Sequence, residues 1–178
     1  MASLVLVGIT ASGTSTVGQR LAVRLGQAFL DCDALIEQRT GRLPREILVD
    51  RGEAGLHQLE EQTALEALGA DGVLALSSGA VLSPAVRDAL HTSPAPVVWL
   101  DVSVAVATRR LGMAVLGPAL LAEVRRRLDA QLEQRRAWYL AVSDHVVAVD
   151  RRSVEEITTE VLTLLAAPAG PSAGQEQQ

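Results

Sequence analysis

The residues Gly8-Ile9-Thr10-Ala11-Ser12-Gly13-Thr14-Ser15 carry the spacing G-x-x-x-x-G-x-S directly after a short apolar run. Glycines at the two ends of such a loop free backbone N–H groups to curl around an anion, and a helix starting beneath it adds the positive end of its dipole. The pattern fits a phosphate-binding loop at every position but one, because Thr14 stands where a lysine would span two neighbouring phosphates. Ser15 offers a hydroxyl to Mg²⁺, and Thr16 a second hydroxyl near the phosphates. The plain alternative is an ordinary strand-to-helix turn rich in small residues. Strand context, glycine spacing and Ser15 together favour the phosphate loop.

A second constellation, Asp31-Cys32-Asp33, follows the apolar pair Phe29-Leu30. Open α/β sheets place ligand-binding groups at such strand ends. If the strand persists, the two carboxylates point the same way. In phosphoryl transfer the first can hold a Mg²⁺-bound water and the second can bind or deprotonate a hydroxyl nucleophile. The competing reading makes Asp33 only the cap of the following helix. Cys32 is the sole cysteine, and no Cys or His cluster has zinc-like spacing. His57 reads equally as a packing residue on a helix, and His91 and His145 fall near element ends.

The elements that must position these groups alternate short β-rich runs with longer stretches of helical spacing, the signature of a parallel sheet covered by helices on both faces. Strands are predicted near 3–8, 28–31, 72–77, 96–101 and 144–149. Helices are predicted near 14–26, 33–40, 44–51, 53–69, 83–91, 103–112, 118–140 and 153–166, with Pro44, Ser83-Pro84 and Ser153 as start signals. Trp99 and Trp138 read as core residues, and Arg125-Arg126-Arg127 as a solvated helix face. Residues 1–166 then form one domain, and 167–178, built of Pro, Gly, Ser, Ala and Gln, a disordered tail. The stretch 111–122 holds two glycines, a proline and no charge.

With 178 residues, 48% of them hydrophobic, the chain can bury one good core. A net charge of −5 argues against a nucleic-acid-binding surface. Leu4-Val5-Leu6-Val7 is too short for a secretory or membrane segment, so the expectation is a cytoplasmic protein with no membrane or nucleic-acid partner. All sixteen basic residues are arginine, so no lysine anywhere in the chain can replace the one missing at Thr14.

Continuing past the loop and Asp-x-Asp, the chain reads Ile36-Glu37-Gln38-Arg39-Thr40-Gly41-Arg42, Arg51-Gly52-Glu53, Leu59-Glu60, Leu76-Ser77-Ser78-Gly79-Ala80-Val81, Arg109-Arg110 and Arg135-Arg136-Ala137-Trp138-Tyr139. In order and spacing this series resembles the shikimate kinases to about residue 165. The resemblance implies a P-loop fold like that of the nucleoside monophosphate kinases, three layers α/β/α around a five-stranded parallel sheet, with a lid near 111–122. It also implies transfer of the γ-phosphoryl group of Mg·ATP to the 3-hydroxyl of shikimate. Carried over position by position, it puts nucleotide at Gly8, Gly13, Thr14, Ser15 and Thr16, with Mg²⁺ at Ser15 and Asp31. Arg110 lies against the adenine, Asp33 on the substrate hydroxyls, and Arg135 on the substrate carboxylate.

The departures from the family pattern gather in the same pocket. The family's second carboxylate-binding arginine is His57 here, and a neutral imidazole cannot make a guanidinium's bidentate contact. The family's Gly-Gly-Gly is Ser77-Ser78-Gly79, which adds two side chains where substrate binds. The lid arginine corresponds to Gly117, before Pro118. If the missing lysine and lid arginine were each worth ~10³, a kinase of ~100 s⁻¹ would fall to about 10⁻⁴ s⁻¹. The expectation is therefore a catalytically impaired member of the fold that acts by binding or regulation, with 111–122 docking on a protein partner. Two alternatives stand beside it: a working shikimate kinase of aromatic amino acid biosynthesis, and a kinase of another small alcohol.

Overall fold

The computed structural model describes residues 1–112 and 118–167. Five parallel strands, β1 (Ala2–Val7), β2 (Phe29–Asp31), β3 (Gly72–Ala75), β4 (Val97–Asp101) and β5 (His145–Ala148), lie in the order β2-β3-β1-β4-β5. The central strand explains why its sequence is an unbroken apolar run: Leu4, Val5 and Leu6 are fully buried, with helices covering both faces. The helices are α1 (Thr14–Leu25), α2 (Cys32–Thr40), α3 (Pro44–Leu68), α4 (Pro84–Thr92), α5 (Val104–Arg110), α6 (Pro118–Val142) and α7 (Val154–Ala166). No described helix is long and apolar enough to cross a membrane.

Local chemistry accounts for the helix limits. Ser83, Ser103 and Ser153 each accept a hydrogen bond from the backbone N–H three residues on, and Glu156 returns the contact to Ser153 N at 2.8 Å. The two helices predicted at 44–51 and 53–69 are one path, α3, kinked at Gly52, whose φ of 70° only glycine adopts without strain. The Trp99 ring stacks on Tyr139 with centroids 5.6 Å apart. Trp138 departs from its expected place in the core. It is half-buried beneath the guanidinium of Arg87, 4.9 Å from the ring centroid.

The sheet brings three loops to one edge, at the carboxyl ends of β1, β2 and β3, the position that open α/β sheets use for ligands. One local expectation fails there. The chain turns helical at Cys32, so strand alternation does not align Asp31 with Asp33. Asp31, rather than Asp33, caps α2, with its Oδ1 accepting from Asp33 N at 3.0 Å. Residues 113–117, which include Gly117 and the middle of the expected lid, lie outside the described residues, as does 168–178 of the expected tail.

Gly72 opens β3 with φ of 129°, and a Cβ built there would lie 2.4 Å from the carbonyl oxygen of Ala28. Gly72→Ala is expected to cost about 2 kcal/mol or more, read as a lower urea midpoint at unchanged m-value.

Candidate active site

The loop between β1 and α1 is bent by two left-handed residues, Ala11 (φ 65°) and Gly13 (φ 101°). Its inner face is tight: a Cβ on Gly8 would sit 2.5 Å from Ser12 Oγ, and that hydroxyl is buried with no hydrogen-bond partner. Arg110 holds the outer face. Its Nη1 donates to the carbonyls of Ala11 (3.2 Å) and Ser12 (2.8 Å), and its Nη2 to that of Val149 (3.3 Å). Carbonyls fixed outward leave the N–H groups at the start of α1, which a helix cannot pair internally, for an anion. A narrow glycine cradle, an orphaned hydroxyl and a helix N-terminus fit a nucleotide phosphate. Arg110 thus contacts the backbone of the loop through the edge of its guanidinium.

Ser15, Thr16 and Asp31 line one cavity of about 370 Å³. Thr10, Asp33, His57, Glu60, Ser78 and Arg135 line another, of about 380 Å³, together with Gly79. The expected metal group and the expected substrate group thus occupy neighbouring spaces. Ser77 is buried at the edge of the second, and its Oγ donates to Asp33 Oδ1 at 2.5 Å. Asp33 keeps an exposed edge, yet the protein around it raises its proton affinity. The Ser77 hydroxyl opposes that shift, and the nearby Asp31 adds to it.

The segment Ser77–Gly79 is held from three sides. Arg135 Nη1 donates to Ser78 O at 2.9 Å, Tyr139 Oη donates to the same oxygen at 2.8 Å, and Gly79 N donates to Glu60 Oε1 at 3.3 Å. Ser78 Oγ lies 3.3 Å from Thr10 Oγ1, so the phosphate loop and the second cavity touch through two hydroxyls. A Cβ on Gly79 would fall 2.1 Å from Glu60 Oε2, which explains why glycine remains there while its two neighbours are serines.

Glu60 is 5% exposed and its Oε2 has no hydrogen-bond partner. Burial, then the charge of Asp33, push its carboxyl up to about 7, against the pull of the Gly79 N–H and Arg135. His57 sits one helical turn earlier, with Nε2 at 4.0 Å from that orphan oxygen. Burial and the Arg135 charge lower its basicity, and Glu53 offsets part of this. Gln131 Oε1 and Arg135 Nε, also on residues lining the cavity, are buried and unpartnered too. Such atoms are costly, and they gather where a ligand completes the network.

The expected residues Thr14, Ser15 and Thr16 open α1 as predicted. Glu60, Tyr139 and Arg127 were read in the sequence without a role in the site, and Gln131 was not singled out. The signal for three of them was spacing: Glu60 lies three residues after His57, and Gln131 and Tyr139 lie four before and four after Arg135, on shared helix faces. Cys32 is buried, with its thiol pushed up to about 12, and takes no part.

The family model for shikimate kinase matches residues 10–166. The shikimate kinase of Salinispora arenicola is 44% identical over 166 residues, which is 92% of this chain and 97% of that protein. The chain belongs to the shikimate kinase family. The shikimate kinase of Mycobacterium tuberculosis is 40% identical, covering 93% of this chain and 94% of its own. Among solved structures, shikimate kinase from Acinetobacter baumannii in complex with shikimate superposes with TM-score 0.83 at 28% identity, over 91% of each chain. That from Aquifex aeolicus gives 0.77 at 25%, over 93% of this chain and 96% of that one. Shikimate kinases use ATP and Mg²⁺, which agrees with the phosphate cradle found here.

A carboxyl whose proton affinity rises on folding stabilises the fold below its unfolded value near 4.5, and that contribution is lost as pH rises through about 7. Asp33 acts in the same direction, whereas His57, lowered on folding, acts oppositely below about 6.5. Glu60→Gln is therefore expected to raise stability at pH 8, on the order of 1–3 kcal/mol, and to leave pH 5 nearly unchanged. Urea unfolding at the two pH values checks this, and an equal shift at both would contradict the assigned titration.

Proposed function

We propose that the chain is a working phosphotransferase that moves the γ-phosphoryl group of ATP to the 3-hydroxyl of shikimate. The observation that carries this reading is the 3.3 Å contact between Thr10, on the phosphate loop, and Ser78, on the wall of the Asp33 cavity. It sets an anion cradle beside a carboxylate of raised proton affinity, the pairing that phosphoryl transfer to an alcohol requires.

In this reading the backbone at Gly8 and Gly13 and the hydroxyls of Thr14, Ser15 and Thr16 hold the nucleotide phosphates, and Ser15 and Asp31 face the metal. Mg²⁺ bound there supplies positive charge to the phosphates. Asp33 binds the substrate hydroxyl, displacing Ser77, and takes its proton as the bond to phosphorus forms. Ser77, Ser78 and Gly79 wall the substrate, with His57 opposite. Arg135 and Tyr139 hold Ser78 in place, and Arg135 also faces the substrate carboxylate. Arg110 keeps the loop carbonyls turned outward, which favours a preformed cradle even without a lysine.

A second reading has its own observation. Thr14 brings no charge to the phosphates, and Arg110, the arginine nearest the loop, is committed to three carbonyls. A family member with so few cations turns over slowly and acts through binding or regulation, with 111–122 as a surface for a protein partner. The whole-length relatives at 40–44% identity favour the kinase.

A coupled assay of ADP release with shikimate separates the two. Wild type is expected to turn over with shikimate. Thr14→Lys is expected to raise kcat about 10- to 10³-fold, and Asp33→Asn to lower it about 10²-fold or more. Mg·ADP binding by calorimetry without any shikimate-dependent turnover would establish the second reading.

A further inference from the structure

Around His57 two cavities adjoin, of about 380 and 360 Å³, and both are lined by Glu53, His57, Arg127, Gln131 and Arg135. Three of these residues are on α6 at intervals of four, Arg127, Gln131 and Arg135, so they form a stripe along one face of that helix. The adjacent arginines do not share it: Arg126 pairs with Glu123 on its own helix. The run Arg125-Arg126-Arg127, expected as a solvated face, is exposed at all three positions, and its last member also lines both cavities.

The charges facing this space are unequally engaged. Arg135 is buried, and its Nη1 is spent on the carbonyl and hydroxyl of Ser78. His57 is held toward its neutral form by burial and by Arg135. Arg127 has no hydrogen bond or ion pair among the described residues. Glu53 is the acid that shares both cavities with it, and Glu60 and Asp33 stand deeper in the larger one. A carboxylate entering beside Arg135 meets one guanidinium engaged through Nη1, one imidazole held toward its neutral form and, at Arg127, one guanidinium with no partner among the described residues.

Building on the kinase reading above, we infer that Arg127 supplies the second cation for the substrate carboxylate, standing in on α6 for the charge absent at His57 on α3. Arg127 is thereby a specificity-determining residue that selects acidic over neutral ring alcohols. Gln131, between the two arginines, has a buried amide oxygen without a partner and is placed to accept from a ring hydroxyl after a small rotation.

The test is Arg127→Gln in the full chain, with calorimetric titration of shikimate and of a neutral cyclic polyol, the shikimate KM and kcat, and Mg·ADP binding as the check on the fold. Shikimate KM and Kd are expected to rise about 10-fold or more, with kcat at saturation and Mg·ADP binding within about threefold. Polyol affinity is expected to be unchanged, and Arg126→Gln to leave every value unchanged. In a His57→Arg background, where the cation is restored on α3, Arg127→Gln is expected to cost less than about threefold. Unaltered shikimate affinity in Arg127→Gln, or an equal loss for the polyol, overturns the inference and leaves the kinase reading standing. A wild-type protein that binds Mg·ADP but never shikimate overturns both.

Discussion

The carbonyl oxygen of Ser78 accepts hydrogen bonds from Arg135 and Tyr139, and the site is organised around that shared oxygen. Two strong donors on one acceptor fix the peptide in position and orientation. The next residue presents its N–H to Glu60, and the Ser78 hydroxyl meets Thr10. Tyr139 is anchored in turn by its stack on Trp99 of β4, so the sheet, α6, α3 and the phosphate loop all reach this segment. Rigid support of this kind places reacting groups within a fraction of an ångström.

Charge is distributed differently from what the family pattern implies. Every basic residue is arginine, and a guanidinium, planar and permanently charged, is suited to gripping carbonyls and carboxylates. At the phosphate loop it grips carbonyls and so acts on the loop, which leaves backbone N–H groups and hydroxyls on the side proposed for the phosphates. On the inference drawn for Arg127, the second cation for the carboxylate is on a different helix from the one that the family pattern specifies. Burial raises the proton affinity of both acids in the pocket, Asp33 and Glu60, the latter to about 7.

Much of the fold was legible because buried parallel strands leave continuous apolar runs, because serines cap helix starts by local hydrogen bonding, and because the fixed φ of Pro44 suits a first helical turn. Gly52 showed as a break between helical stretches, and its φ explains the kink. Side-chain direction was less legible. Asp31 and Asp33 read as a strand pair, but capping of α2 takes the first carboxylate, an event decided by where β2 stops. The carbonyl contacts of Arg110 were not legible either, because they depend on the curl of the loop at Ala11. Arg127 is exposed, as its run of three arginines implies, but nothing in that run says which one borders a cavity. Glu60 was read without a role because its high proton affinity arises only when the fold excludes water from it.

Arg110 is the final residue of α5 and also the clasp of the phosphate loop, and through Val149 it reaches the chain just beyond β5. Motion at that helix end is thus transmitted to the loop backbone through one side chain. Thermodynamic reciprocity then requires that whatever tightens the loop also biases the end of α5, by the same free energy. One guanidinium thus joins the phosphate loop, the end of α5 and the chain beyond β5 into a single mechanical unit.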